Sequence, residues 1–278
     1  MRLGFSTNTL ADVDPLDALP ALADLGYTSL AITLDRHVLD PFALSLSHVV
    51  ARWRTGLAAA GMRCVIETGA RHLLDPLVKH EPTLVSPAAA ERSRRIDLLV
   101  RAIDVARDLG ADCVSLWAGV VRDGASEAKL WERLTAALRP VVGHAAARGV
   151  DLGFEPEPGM FIDTLARHEE LCDRLGRPAH LRLTVDLGHL ECMGERPAAR
   201  LVAERAAAIV NVHVDDMHAC RHEHLPLGSG DVDFAPLLSA LAGSGYRGGL
   251  HVEMPRQSHR WLDTARQSAA FLRPLLPT

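Results

Sequence analysis

No apolar run in the sequence approaches the roughly 18 or more residues of a membrane span, and no Pro-, Ser- or Gly-rich linker or low-complexity stretch interrupts its 278 residues. Neither a membrane partner nor a chain of tethered modules is expected. A basic surplus is also missing: 30 Lys and Arg stand against 35 Asp and Glu, a net charge of −5. Nothing in that balance grips a phosphate backbone, so no nucleic-acid partner is expected. The five cysteines, Cys64, Cys113, Cys172, Cys192 and Cys220, are odd in number, scattered, and contain no Cys-x-x-Cys. A disulfide framework and a thiolate zinc site are both unsupported, and Cys64 and Cys113 read as small buried hydrophobes. The N-terminal Met1-Arg2-Leu3-Gly4-Phe5 lacks the long apolar core of a signal peptide, which makes the cytoplasm the expected location.

What the chain does have is alternation. With 48% hydrophobic residues it can bury a full core. Short strand-like runs, Leu3 to Thr7, Ser29 to Leu34, Arg63 to Thr68 and Cys113 to Trp117, alternate with helical stretches, Pro15 to Leu25, Ser45 to Ala60, Ala88 to Leu109 and Glu127 to Arg148. Gly26, Gly61 and Gly149 supply stop signals. The second half repeats the design, with strands ending near Glu155, Asp186, Asp215 and Glu253 and helices at Thr164 to Leu175, Pro197 to Ala207, Phe234 to Ala242 and Trp261 to Leu272. Eight such units predict an α/β fold, a single-domain (β/α)8 TIM barrel spanning residues 1–278. A doubly wound open sheet is the runner-up, but no Gly-x-Gly-x-x-Gly follows the first strand. A long loop, Gly69 to Pro87, separates the third strand from its helix, and loops of that length are often functional.

Four of these strands deliver metal-competent side chains. In Ile209 to Asp216 the residues Val210, Val212 and Val214 oppose Asn211, His213 and Asp215; Leu181, Leu183 and Val185 oppose Arg182, Thr184 and Asp186; Leu250 and Val252 oppose His251 and Glu253. If helices cover the apolar faces, the polar faces converge inside the closed sheet, bringing Glu155, Asp186, His213 and Glu253 to its carboxyl end. That is where barrels of this kind carry their active sites. Three crowded carboxylates repel one another unless a cation or shared protons relieve them. The set suits one divalent metal ion: manganese, cobalt, magnesium, iron or zinc.

Five motifs carry a resemblance: Phe154-Glu155-Pro156, Asp186-Leu187-Gly188-His189, Asn211-Val212-His213-Val214-Asp215, His224-Leu225-Pro226-Leu227-Gly228-Ser229-Gly230-Asp231 and Val252-Glu253. In order and over nearly the whole chain they resemble the xylose isomerase-like TIM barrels, among them sugar-phosphate isomerases and epimerases, ketose 3-epimerases, hydroxypyruvate isomerase and endonuclease IV. The resemblance implies that Glu155, Asp186, His213 and Glu253 hold one divalent metal, that His189 binds substrate, and that Glu155 and Glu253 are the acid/base pair. The chemistry fits: a cation on a carbonyl and its neighbouring hydroxyl acidifies the C–H between them, and a carboxylate on each face moves the proton. The expected activity is therefore a sugar or sugar-phosphate isomerase or epimerase.

Two departures bear on that expectation. The ketose epimerases carry an arginine soon after the strand-seven histidine, whereas Arg221 here lies further along. Endonuclease IV-like members build a three-zinc cluster with earlier-strand histidines. Here strand three ends at Glu67 and strand four at Trp117, while His222-x-His224 offers a place for a second metal. Around the metal, Trp117 can wall a sugar face, Glu157, His189 and His224 can bond hydroxyls, and Arg71, Lys79, Arg256 and His259 can hold a phosphate or carboxylate. Asp215 is expected only to orient a neighbour. The expected partner is a small polyhydroxylated or keto substrate, and a homo-oligomer is compatible with this composition. Alternatives are a lyase or dehydratase of the same fold, an endonuclease IV-like phosphodiesterase, and a non-catalytic metal- or ligand-binding barrel.

Overall fold

Period-two apolar alternation bounded by glycines and caps produces eight strands: β1 (Arg2–Ser6), β2 (Ser29–Thr33), β3 (Arg63–Glu67), β4 (Val114–Leu116), β5 (Leu152–Phe154), β6 (Leu181–Asp186), β7 (Ile209–Val214) and β8 (Gly249–Val252). Each pairs in parallel with the next, and β8 pairs with β1, so the sheet is a closed barrel. The computed structural model describes residues 1–276. Outside the barrel lie α1 (Pro15–Asp24), α2 (Leu46–Ala60), α3 (Ala89–Leu109), α4 (Glu127–Arg148), α5 (Leu165–Leu175), α6 (Leu187–Cys192), α7 (Ala198–Arg205), α8 (Phe234–Gly243) and α9 (Trp261–Leu272). Among the described residues no helix is long and apolar enough to cross a membrane.

Local chemistry sets the helix limits. The Asp14 carboxylate accepts from the Leu16 N–H at 3.0 Å at the start of α1, and Ser126 and Thr164 cap α4 and α5 in the same way. At the other end Gly61 and Gly149 take the left-handed conformation, with φ of 65° each, which a side chain would resist. Boundaries shift by a residue or two from the sequence reading. Strand four stops at Leu116, leaving Trp117 on the loop. Elements not predicted include the short helix α6 directly after Asp186 and 3-10 turns at Thr7–Leu10, Pro255–Arg260 and Arg273–Leu275.

The core lies between barrel and helices, where Leu30, Ile32, Ile66, Leu116, Phe154, Leu183, Val212, Val214 and Leu250 are fully or nearly fully buried. Cys64 belongs to it, as expected of a small hydrophobe. One face assignment is corrected. Val210 does not pack with Val212 and Val214; the β6–β7 register runs from Leu183–Ile209 to Thr184–Asn211 and passes over it. That irregularity turns Val210 onto a separate cluster of Ala31, Val65 and Cys113.

Polar side chains fill the barrel interior below the site. His251 Nδ1 bonds Asn211 Oδ1 at 2.8 Å and its Nε2 meets Ser29 Oγ at 2.9 Å. Gly4 makes room, because a Cβ there would lie 2.5 Å from the His251 ring. Above this layer the register sets Asp186 beside His213, and Glu155 and Glu253 follow one residue beyond β5 and β8. Four consecutive strands thus present their carboxyl ends to one mouth.

Candidate active site

The mouth opens into a cavity of about 650 Å³. Its lining includes Glu155, His213 and Glu253, and also Glu67, Glu157, His189, His222, His224, Trp117, Arg71, Lys79 and Arg256. Glu155, Asp186 and His213 each place a ligand-competent atom within 4.8 Å of the others. Glu253 joins them through the same imidazole: His213 Nδ1 is 2.9 Å from Glu155 Oε1 and 3.3 Å from Glu253 Oε2. The other ring nitrogen, Nε2, bonds Glu67 Oε1 at 2.8 Å, and Asn211 holds that carboxylate at 2.9 Å. Glu67 therefore fixes the ring so that Nδ1 faces Glu155 and Glu253, an arrangement typical of a ligating histidine. Neither Asp215 nor Asp186 bonds the ring, whose partners are Glu67, Asn211, Glu155 and Glu253.

Asp186 has two duties at once. Its Oδ1 caps α6 by accepting from the His189 N–H at 3.0 Å. Its Oδ2 is buried and has no hydrogen-bond partner. An orphaned carboxylate oxygen beside an imidazole and two further carboxylates is what a divalent cation would satisfy. The ionisation pattern agrees. Burial pushes the Glu155 carboxyl up to about 7 against the pull of His213. Burial would do the same to Asp186, but His189, His213 and His224 hold it down to about 2. Burial disfavours the charged His213 ring, yet Glu155, Glu67 and Glu253 raise its pKa well above the ordinary value. The same carboxylates that favour positive charge on that ring would favour a divalent cation among them.

His189 lies over the opposite wall. Its Nδ1 is 3.2 Å from the Pro156 carbonyl, and its Nε2 is 3.2 Å from His222 Nε2. His222 Nε2 is in turn 3.5 Å from Glu157, so Glu157, His189 and His222 form a second ligand-competent group. His224 Nδ1 bonds Asp215; burial opposes its charge, but Asp215 lifts the imidazole to about 10. Asp215 is thus an orienting partner, as expected, and its close approach needs Gly188, whose Cβ would lie 2.1 Å from Asp215 Oδ1. With Asp186 they form a third such group.

The outer wall is aromatic and cationic. Trp117 is 7% exposed, with Arg95 stacked on its ring at 4.3 Å and His80 meeting its edge at 5.6 Å. Arg71 pairs with Asp35 at 2.9 Å while lining the cavity, and Lys79 and Arg256 line it too. His259 and Arg221 are not among the lining residues. Two contributors escaped the sequence reading. Asn8 donates to Glu253 Oε1 at 2.5 Å, and only its place just after strand one could have signalled it. Asp216 accepts from the backbone N–H groups of Met217, Gly228, Gly230 and Val232 at 2.8–3.1 Å. It thereby anchors the loop that carries His222 and His224.

Fold and cavity together define a (β/α)8 barrel with an acidic, histidine-bearing floor at the strand carboxyl ends. The profile of the xylose isomerase-like TIM barrel matches residues 19–275, and the chain belongs to that family. L-ribulose-5-phosphate 3-epimerase UlaE of Shigella flexneri serotype 5b (strain 8401) is 27% identical over 219 residues, 78% of this chain and 74% of that one. The 3-dehydroshikimate dehydratase of Pseudomonas putida (strain KT2440) is 28% identical over 191 residues, covering 66% of this chain; the match spans only 29% of the dehydratase. In structure, the D-allulose 3-epimerase of Methylomonas sp. superposes with a TM-score of 0.78 at 21% identity, covering 99% of this chain and 98% of that chain.

Proposed function

We propose that the chain is a divalent-metal-dependent isomerase or epimerase of a small polyhydroxylated or keto substrate, a sugar or sugar phosphate, acting by proton transfer. The observation that carries this reading is the pair Glu155 and Glu253, from the ends of strands five and eight, whose carboxylates both reach His213 Nδ1 at the cavity floor. Glu155, Asp186, His213 and Glu253 would hold the ion, and manganese, cobalt, magnesium, iron and zinc all accept such mixed O/N donors. When bound, the ion supplies positive charge where a carbonyl gains negative charge. The protein groups do the rest. Glu155, a carboxylate at the cavity floor, can take up and release the proton. Glu253, kept below the ordinary range by His213, His224 and Asn8 despite burial, is the base. One removes the proton alpha to the carbonyl and the other returns it on the opposite face. His189, Glu157 and His224 bind hydroxyls, Trp117 bounds the carbon skeleton, and Arg71 and Arg256 take an anionic end.

The test pairs elemental analysis with exchange. Gently purified protein is expected to carry about one divalent ion per chain, lost in Glu155→Ala and His213→Ala, and to transfer deuterium from heavy water into a ketose. A second ion per chain would be assigned to the Glu157, His189 and His222 group, close to His224. Absence of exchange at any supplied metal would sink the reading. A second reading, a dehydratase on the same residues, draws on the Pseudomonas putida relative. It expects loss of water from a β-hydroxy ketone, seen as a new conjugated-enone absorbance.

A further inference from the structure

Beyond the cavity, the loop after β7 returns to α6 at one point. The Cys220 backbone N–H donates to the Cys192 carbonyl oxygen at 3.0 Å. A bond of that length keeps the two Cα atoms within about 7 Å of each other, the range a disulfide can span. Cys192 is the buried last residue of α6, whereas Cys220 is exposed. Cys220 sits in the turn closed by Arg221 N–H to His218 O, with φ of 61°, where glycine or asparagine would be easier. The remaining cysteines, Cys64, Cys113 and Cys172, are buried elsewhere in the fold.

We propose that Cys192 and Cys220 are a covalent modification site, closing reversibly into a disulfide that ties the His222-bearing loop to the helix bearing His189. The oxidant is a low-molecular-weight disulfide such as oxidised glutathione. The exposed Cys220 thiolate attacks one of its sulfurs, forms a mixed disulfide and expels one thiolate. The Cys192 thiolate then attacks the Cys220 sulfur, the protein disulfide forms, and the second small thiolate leaves. The two cysteine protons pass through solvent to the two departing thiolates, and the small disulfide takes up two electrons. Burial raises the Cys192 thiol pKa, so it is not the thiol that meets the oxidant first. Because His222 lies two residues beyond Cys220 and 3.2 Å from His189, the crosslink restrains one edge of the cavity.

Native protein incubated with oxidised glutathione, then denatured, should titrate three thiols in place of five, with a Cys192–Cys220 peptide in the digest. Cys220→Ser, an exposed substitution compatible with folding, should keep its four. Hydrogen exchange in residues 218–224 should slow at least about tenfold on oxidation and recover with excess reduced thiol. An unchanged count, a stable glutathione adduct on Cys220 alone, a link between two chains, or unaltered exchange in the oxidised loop would each overturn the proposal.

Discussion

Replacing Asp216 by asparagine isolates the device that sets the loop bearing His222 and His224. The carboxylate is fully buried, and its two oxygens divide four backbone donors. Oδ1 takes Met217 and Val232, and Oδ2 takes Gly228 and Gly230 at 2.8 and 2.9 Å. Asparagine keeps one acceptor and turns an amide N–H₂ toward the other pair of donors, so two charge-assisted bonds are lost. Bonds to a charged group contribute about 1.5–3 kcal/mol each. Two of them amount to roughly 3–6 kcal/mol, or about two to four powers of ten in local opening. The backbone pairing of Asp216 with Leu225 survives, so the loop loosens without detaching. Hydrogen exchange at Gly228 and Gly230 should therefore accelerate about 100- to 10,000-fold, while strands β5 and β6 keep their protection. Protection of those two amides equal to wild type in Asp216→Asn would refute this reasoning.

Three other outcomes follow from the same geometry. Glu253→Gln keeps an acceptor for Asn8 but removes a ligand charge and a base, so turnover should fall at least about 100-fold and metal affinity should drop; near-normal turnover would sink the mechanism. Arg71→Ala should raise KM more for a phosphorylated substrate than for its neutral counterpart, and equal effects would remove Arg71 from anion binding. His168 is buried on the inner face of α5, and burial lowers its pKa from 6.5 to about 4. Its unfolded form then takes up a proton that the fold refuses. Stability should be full above about 6.5 and fall as pH drops toward 4, by about 3 kcal/mol. Denaturant titrations of wild type and His168→Gln should differ in slope across that window, and parallel curves would rule the effect out.

The barrel was legible because its signals are local. Alternation in β6, β7 and β8 and the stop glycines after α2 and α4 are each written within a few residues. The four-residue set at the floor was legible for a related reason: strand parity and strand end together determine where Glu155, Asp186, His213 and Glu253 point. What escaped depends on contacts distant in sequence. Glu67, read first as a strand end, turns out to orient His213 across 146 positions. Asn8 reaches Glu253 across 245. Val210 obeys the alternation on paper, yet a register irregularity visible only against β6 turns it elsewhere.

Asp186 illustrates why a structural and a chemical reading of one residue need not compete. As a cap it satisfies a backbone donor at the start of α6, and any good capping residue would serve. Serine or threonine there, however, would leave nothing like the buried, unpartnered Oδ2. A second oxygen bearing charge, held beside His213 and free of hydrogen bonds, costs stability unless something positive meets it. The His189, His213 and His224 rings around it hold the Asp186 carboxyl down to about 2 in spite of its burial. The helix cap fixes the aspartate's orientation, so the same hydrogen bond that starts α6 also sets the carboxylate beside Glu155 and His213.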